Sequence, residues 1–376
     1  MAVAQTKARE HECQDPVSGT AGARPKHAIR LLLSSLARTR RLPSVIADAH
    51  LDLLLELGHR ELRFGESNTF SRTWLPLLAA GGVGLQVCPV FVELERQPEG
   101  TLREALGQAT CLLRAVRENP DRVLQVRSAA DLDAVERGER LGLMLSLEGV
   151  EQFGYELWPA ETFFELGMRM AGLTWNRRNQ FSDGAIEDGG LSRLGRALVE
   201  ALVGLGVIID LAHASTRAFA EIIARADGAP LICSHAACRA VHDHPRNLTD
   251  DQLRALADAD GLLGLMLHPI AIDHEQRTID RVVDHLEHAA ALIGIERVCF
   301  GGDFTTRLYE VLPPMQIPAD GLMPPGLAPG AGIEGLKGPE DYPALLAAMS
   351  ARGWSDADIA AVSGGNLRSF LRRSLP

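Results

Sequence analysis

The sequence predicts an α/β protein that folds as a (β/α)8 TIM-type barrel, and three observations lead to this fold class. The chain has 376 residues, of which 46% are hydrophobic and 23% charged, a composition typical of globular proteins. From residue 45 onward, short apolar runs rich in β-branched residues alternate with longer segments of helical period. The sequence contains neither an internal repeat nor a second set of core elements, which favours one barrel over two domains.

Nine apolar runs are candidate strands, one more than a closed eight-stranded barrel requires. In chain order they cover residues 45–47, 83–91, 123–126, 143–147, 168–175, 207–212, 231–234, 262–267 and 298–300. The run at 123–126 is the weakest of them. We therefore expect it to lie outside the barrel.

Helices are expected between the strands, and three of them have recognisable features. Thr101 with Glu104, and Thr249 with Gln252, match the capping box, in which side chains satisfy the first backbone N–H groups of a helix. An apolar stripe at helical spacing predicts a helix over 193–205. These features place helices after the second, fifth and seventh strand candidates.

Three segments stand outside the alternating pattern. Residues 1–44 carry eight Arg or Lys against three acidic residues, and we interpret them as a basic, partly disordered N-terminal extension. Residues 311–340 contain seven Pro and six Gly, which predicts a long loop and a candidate lid. Two extra helices are expected at 342–352 and 355–371, where they would complete the outer ring. A single barrel domain would then span 45–376.

Charge and cysteine usage narrow the classes of function. The formal net charge is −11, so the surface repels phosphate backbones and nucleic acid is not expected as a partner. No apolar run reaches the roughly 18 residues of a membrane span, and no secretory signal peptide is predicted. The six cysteines are scattered without a C-x-x-C pair, which indicates a reducing, cytoplasmic setting.

Ionisable residues follow five of the predicted strands, at the end where the loops of a parallel barrel carry its active site. They are His50, Asp52, Glu148, His213, His235 and Asp303. An H-x-D pair on an extended segment points both side chains to one face. Together these residues predict a metal cage, and imidazole with carboxylate suits zinc or another transition ion.

The number of metal ions is open at this point. The candidate ligands number five, namely His50, Asp52, Glu148, His213 and His235. They exceed the three protein ligands of a typical catalytic zinc site, so two ions that share one ligand are the natural alternative. In barrel hydrolases the shared ligand can be a carbamylated lysine, but no lysine occurs between Lys26 and Lys337. A bridge must therefore be a carboxylate, and Glu148 is the best placed.

Several motifs, in their order and spacing, resemble the membrane (renal) dipeptidase family of zinc peptidases. They are Asp48–Asp52, Leu147–Gly149, Asp210–Ser215, Ser234-His235, Arg246-Asn247 and Gly301–Phe304. The resemblance extends over about residues 45 to 371 and implies a metallo-hydrolase barrel with two zinc ions per chain. It implies that one ion binds His50 and Asp52, that the other binds His213 and His235, and that Glu148 bridges them.

The resemblance also implies roles for two further residues. Arg246 would grip the terminal carboxylate of the substrate, and a guanidinium fork is well suited to that task. Asp303 would shuttle a proton from the attacking, metal-bridging hydroxide to the leaving amine. A homodimer is expected because members of this family commonly form one.

At one position the chain departs from the family pattern. The family generally has a histidine in a Leu-Thr-His-Asn stretch, where it helps to bind the carbonyl oxygen, whereas residues 173–176 read Leu-Thr-Trp-Asn. The indole of Trp175 can donate one N–H but cannot carry a charge, so this contribution is reduced or supplied differently. Arg177 and Arg178 are candidates to compensate, and they are equally consistent with solvated loop charges.

The sequence leaves three functions to weigh. The leading one is a dinuclear zinc dipeptidase that cleaves a small dipeptide or related amide with a free carboxylate. Trp175 in the pocket suggests the alternative of a modified or bulky amide from specialised metabolism. A catalytically silent binding protein is the third, and the complete ligand set argues against it. His242 and His244 form another H-x-H pair, for which we do not favour a metal role.

Overall fold

The computed structural model describes residues 46–92, 100–312, 322–328 and 330–376. The predicted basic extension at 1–44 lies outside these ranges, as does part of the predicted loop at 311–340. Our expectations about the disorder of that extension and about a lid therefore stay predictions.

The described ranges contain nine strands, and each corresponds to one of the predicted apolar runs. They are β1 (Ile46–Asp48), β2 (Val83–Phe91), β3 (Val123–Gln125), β4 (Leu141–Glu148), β5 (Met168–Gly172), β6 (Ile208–Asp210), β7 (Leu231–Ala236), β8 (Leu262–Met266) and β9 (Val298–Gly301). Parallel neighbours follow the order β2-β1-β9-β8-β7-β6-β5-β4, and pairing between β2 and β4 closes the ring. The predicted (β/α)8 TIM-type barrel is confirmed.

The ninth strand, β3, lies outside the closed ring, as the sequence leads us to expect. One edge of β4 pairs with β2 over residues 142–148. The other edge pairs with β3 at 141–143 and with β5 at 145–148. Because β5 occupies this edge at the carboxyl end of β4, β3 adds three residues at the other end without entering the barrel wall.

Helices follow the strands. The α-helices are Leu53–Leu57, Leu75–Gly81, Thr101–Glu118, Asp131–Glu136, Pro159–Glu165, Arg193–Leu205, Thr216–Arg225, Asp250–Asp258, Pro269–Ile272, Ile279–Ile293, Leu308–Val311, Tyr342–Ala351, Asp356–Ala360 and Asn366–Ser374. Shorter π-helical and 3₁₀ segments occupy Gly58–Arg63, Phe70–Trp74, Glu151–Phe153, Ile295–Arg297, Pro339–Asp341 and Ala361–Gly365. Within the described ranges, no helix combines the length and the apolar character needed to cross a bilayer.

One of the two predicted capping boxes is present. The Thr249 hydroxyl accepts a hydrogen bond from the N–H of Gln252, whose side chain accepts one from the N–H of Thr249. The other prediction is wrong, because the helix already begins at Thr101 and has no side-chain cap. The Glu104 carboxylate instead accepts two hydrogen bonds from the distant Arg63 guanidinium, a partner that no local pattern reveals.

The C-terminal segment differs from the prediction of two helices in the outer ring. The first helix is present as Tyr342–Ala351, but the second is broken near Gly364, where the backbone is not helical. The last helix, Asn366–Ser374, buries its apolar side chains in a cluster to which all eight barrel strands contribute. Asn366 donates a hydrogen bond to the carbonyl of Val298 at the start of β9. This helix therefore covers the amino end of the barrel rather than its side.

Candidate functional site

The structure brings the predicted ionisable residues together at the carboxyl end of the barrel. His50 follows β1, Glu148 is the last residue of β4, His213 follows β6, His235 lies in β7 and Asp303 follows β9. Each of the five is at most 8% exposed. Because parallel strands of a barrel all end at one rim, residues far apart in the sequence meet there.

Glu148 lies at the centre of this cluster, with imidazoles on both sides. Its Oε2 is 3.4 Å from His50 Nε2. Its Oε1 is 2.8 Å from His213 Nε2 and 3.5 Å from His235 Nε2. Asp52 Oδ1 is 3.8 Å from His50 Nε2. The two oxygens of one carboxylate therefore face two different sets of side chains.

Hydrogen bonds behind two of the histidines fix their ring orientations. His213 Nδ1 donates to Asn176 Oδ1 at 2.7 Å. Ser234 Oγ donates to Asp210 Oδ2 at 2.5 Å and accepts from His235 Nδ1 at 2.8 Å. With Nδ1 protonated, each Nε2 presents a lone pair to the cluster, as metal-binding histidines do. Asp210 and Ser234 lie close in sequence to a candidate ligand, which is the one local signal for their role, whereas no local pattern links Asn176 to His213.

Two site residues have a backbone conformation that is unusual for L-amino acids. The φ angles of His213 and Asp303 are 64° and 47°. Such conformations are strained and cluster at functional sites. The N–H of Asp303 donates to the carbonyl of His50 at 2.9 Å. Asp48 Oδ1 accepts from the N–H groups of His50 and Gly302, which ties the loop after β1 to the loop after β9.

The cluster has the unpaired atoms and the charges of a cation site. His50 Nε2 and Asp52 Oδ1 are buried and lack a hydrogen-bond partner among the described residues. His213 Nε2 and His235 Nε2 are 2.7 Å apart, and two lone pairs at that distance repel each other unless a cation binds both. Ligand atoms lie within 4.8 Å of one another in two overlapping groups, His50 with Glu148 and His235, and His50 with Asp52 and Asp303. The donor set fits a divalent transition ion.

Burial and crowding shift the pKa values in the cluster. Burial, reinforced by the charge of Arg246, lowers the pKa of His213 to about 3. Burial raises the pKa of Asp303 to about 7, with His50 opposing the shift and Glu148 adding to it. Burial and the charge of Glu148 also raise the pKa of Asp52. Closely spaced buried carboxylates either take up protons or bind a cation, and the neutral imidazole of His213 is suited to ligate one.

A cavity that opens to solvent adjoins the cluster. Its polar lining includes Asp52, Glu148, Asn176, His213, Arg246, His268, Asp303, Thr305 and Tyr309. Its apolar lining consists of Leu55, Phe91, Trp175, Met266, Ile270, Leu308, Leu322 and Met323. The Trp175 ring centroid is 5.3 Å from that of Phe91 and 6.0 Å from that of His213. Trp175 therefore forms an apolar wall beside a candidate ligand.

Arg246 reaches the same cavity from the loop after β7. It is 4% exposed, and its Nη2 donates to the carbonyl of His235 at 3.1 Å. The same Nη2 is 3.1 Å from His213 Nε2. The N–H of Arg246 donates to His244 Nδ1, and His244 Nε2 donates to the carbonyl of Leu322. His244 therefore supports the loop that carries Arg246.

The two arginines after Trp175 are placed differently from Arg246. Arg178 donates to both oxygens of Asp183 at 2.6 and 2.7 Å, and its side chain is 64% exposed. Neither Arg177 nor Arg178 is among the described residues that line the cavity. Arg178 is therefore engaged outside the cavity, and its geometry does not support compensation for the missing histidine.

Comparison with known proteins points to one family. The family model described as "Membrane dipeptidase (Peptidase family M19)" matches residues 37–311. "Dipeptidase aclJ" of Aspergillus oryzae is 29% identical over 311 residues, which is 79% of this chain and 68% of that protein. "Dipeptidase 3" of Rattus norvegicus is 29% identical over 356 residues, which is 92% of this chain and 67% of that protein.

Solved structures show the same fold. The dipeptidase AC, described as a metallopeptidase, has 25% identity and a TM-score of 0.76 over 88% of this chain and 98% of its own. A metallopeptidase from Rhodobacter sphaeroides, liganded with a phosphinate mimic of the dipeptide L-Ala-D-Ala, has 24% identity and a TM-score of 0.77 over 88% of this chain and 99% of its own. The family model spans most of the barrel, and its match confirms the predicted enzyme class, a metal-dependent dipeptidase. The chain therefore belongs to the membrane dipeptidase family of metallopeptidases, peptidase family M19.

Proposed function

We propose that the protein is a dinuclear zinc dipeptidase that hydrolyses a small dipeptide, or a related amide, with a free carboxylate. The observation that carries this proposal is the position of Glu148, which directs one oxygen toward His50 and the other toward His213 and His235. A carboxylate so placed is suited to bridge two ions. Two bound ions would acidify water and polarise the scissile carbonyl.

The distances favour a division of the ligands into two sets. His50 and Asp52 would hold one ion, His213 and His235 would hold the other, and Glu148 would be shared. The ring centroids of His50 and His235 are 3.7 Å apart, so the two sets are adjacent.

Asp303 is proposed to move the proton during catalysis. It lines the cavity, and its carboxylate lies within 4.8 Å of the ligand atoms of His50 and Asp52. Its backbone bond to His50 holds the side chain at the rim. A carboxylate at this point can accept the proton of the attacking water and donate it to the leaving amine.

Arg246 is proposed to bind the substrate carboxylate. It is the one Arg or Lys among the described residues that line the cavity. Hydrogen bonds at Nη2 and at the backbone hold it in place, which reduces the ordering cost of binding an anion. A guanidinium also offers two parallel donors to a carboxylate.

Trp175 supports a second candidate substrate, a modified or bulky amide. It packs against an apolar cluster formed by Leu55, Phe91, Leu308 and Leu312. A flat or bulky group near the scissile bond would bury apolar area against this wall. A catalytically silent protein is disfavoured, because a binding module has no physical need for this concentration of buried ligands and carboxylates.

The proposal extends to the cellular location and the oligomeric state of the protein. We propose a cytoplasmic location because the five cysteines of the described residues are all free and buried, as expected in a reducing compartment. A homodimer is proposed on the family resemblance. The net charge of −11 supports small molecules rather than nucleic acid as partners.

Metal analysis combined with a substrate panel tests the proposed function. Carefully purified protein should contain about two zinc ions per chain and lose activity when they are chelated. It should hydrolyse dipeptides with a free carboxylate much faster than the same dipeptides with the carboxylate amidated. A single ion per chain would overturn the dinuclear proposal, and equal cleavage of free and amidated substrates would overturn the dipeptidase proposal.

A further inference from the structure

Three potential metal ligands lie together away from the Glu148 cluster. His242 is in the loop after β7, whereas Asp273 and His274 follow the short helix Pro269–Ile272. One ligand atom from each of the three lies within 4.8 Å of the others. The ring centroids of His242 and His274 are 5.4 Å apart. The cluster thus joins two successive loops at the carboxyl end of the barrel.

We propose that His242, Asp273 and His274 form an additional metal site that binds one Zn²⁺ or a similar transition ion. Two imidazoles and one carboxylate are the donors that such ions select, and water would complete the coordination. This site would be separate from the proposed dinuclear centre, with which it shares no ligand.

Two unpaired nitrogen atoms support this assignment. His242 Nε2 and His274 Nδ1 are both buried, and neither has a hydrogen-bond partner among the described residues. A buried polar atom without a partner is unfavourable, because it loses its hydrogen bond to water and gains none in return. One ion bound between the two rings would satisfy both nitrogens.

The backbone that carries the three ligands is already tied together. Asn247 Nδ2 donates to the carbonyls of His242 and Ala271 at 2.8 and 2.7 Å. Arg281 donates from Nη2 to the carbonyl of Val241 at 2.5 Å, and from Nε to Asp273 Oδ2 at 3.2 Å. A site that is held in place before the ion arrives has a lower ordering cost on binding.

The surrounding charges indicate an exchangeable site. Asp273 Oδ1 accepts hydrogen bonds from the N–H groups of Glu275 and Gln276, and Oδ2 already accepts one from Arg281. Each carboxylate oxygen has a second lone pair, but the nearby guanidinium charge weakens the binding of a cation. We therefore expect weaker binding here than at Glu148.

The two histidines of the H-x-H pair, His242 and His244, have different partners. His244 uses both ring nitrogens in hydrogen bonds, to the N–H of Arg246 and to the carbonyl of Leu322. The metal partner of His242 is therefore His274 in the next loop, not His244. An ion at this position would link the loop that carries Arg246 to the loop after β8, because it would be bound by residues of both.

Titration of the holoenzyme with metal alone tests the proposal. Protein whose dinuclear centre is already loaded is titrated with Zn²⁺ or Co²⁺, by calorimetry and by elemental analysis after gel filtration. Wild-type protein should bind one additional ion per chain. His242→Ala and His274→Ala should each weaken that binding by more than ~10-fold, while the ions bound at the dinuclear centre remain.

His288→Ala is the matched control. His288 is also partly buried, but its Nε2 lies 2.8 Å from Asp250 Oδ1 and it is not a member of the proposed site. The variant should bind the additional ion as wild-type protein does. Loaded wild-type protein that binds no additional ion more tightly than about 1 mM would overturn the proposal. Additional binding that persists unchanged in both His242→Ala and His274→Ala would also overturn it.

Discussion

Replacing Asp303 by asparagine separates proton transfer from metal binding. The substitution keeps the size and shape of the side chain but removes its capacity to take up a proton at neutral pH. Asparagine also tolerates the left-handed backbone found here, at a φ of 47°. The hydrogen bond from the N–H of residue 303 to the carbonyl of His50 does not depend on the side chain. The fold and the five proposed metal ligands should therefore remain intact.

The expected effect is a loss of turnover without a loss of metal. A positioned general acid or base contributes a factor of roughly 10² to 10⁴ to the rate. At about 1.4 kcal/mol per tenfold change, this corresponds to a barrier raised by ~3 to 6 kcal/mol. Because burial raises the pKa of Asp303 to about 7, the wild-type carboxyl group can exchange a proton near neutral pH. The amide of the variant cannot.

The assay measures kcat and kcat/KM on a free-carboxylate dipeptide, together with zinc per chain. Asp227→Asn is the matched control, because Asp227 has the same φ of 47° and is exposed at the protein surface. That variant should have wild-type activity. If Asp303→Asn retains its zinc and turns over as fast as wild-type protein, Asp303 has no part in proton transfer.

Four further variants test other parts of the site and the fold. Glu148→Gln should lose bound zinc and activity together, because a neutral amide cannot bridge two cations, and full zinc content in the variant would contradict the bridge. Arg246→Ala should reduce kcat/KM on free-carboxylate substrates by a factor that corresponds to roughly 2 to 5 kcal/mol. It should change kcat/KM on amidated substrates little, and an equal loss on both would contradict carboxylate binding. Trp175→His should speed the hydrolysis of small dipeptides relative to aromatic ones, by a factor of up to that corresponding to the ~3 to 4 kcal/mol that an oxyanion donor contributes. Fast turnover of small dipeptides by the wild-type protein, with no improvement in the histidine variant, would refute the proposed preference for bulky substrates. Tyr342→Phe should lower the free energy of unfolding by about 1 to 3 kcal/mol in urea titration, because Asp48 Oδ2 loses a buried hydrogen bond of 2.8 Å, and unchanged stability would refute that contribution.

The positions of the strands and of the candidate ligands could be predicted from the sequence. Each buried strand is an apolar run, because it is covered on both faces, and such runs are visible without any knowledge of the fold. Once the runs are read as a parallel barrel, the residues that follow them must meet at one rim. His50, His213 and Asp303 could therefore be grouped even though they are far apart in the chain.

Contacts between distant elements could not be predicted, because local patterns do not record them. The role of Asn176 behind His213 depends on how the loop after β5 meets the loop after β6. The broken C-terminal helix covers the amino end of the barrel because its apolar side chains join the barrel interior, which an apolar stripe alone does not specify.

The two histidine clusters show the same division between sequence and tertiary structure. The residue types that follow each strand could be predicted from the sequence alone, because strand periodicity and parallel topology constrain both. The tertiary structure was needed to show that each oxygen of Glu148 faces a different set of imidazoles. It was also needed to show that His242 shares a cluster with His274, whereas His244 uses both ring nitrogens in hydrogen bonds. Side-chain direction beyond the end of a strand depends on loop backbone angles and on hydrogen bonds to neighbouring loops, as at Asn247.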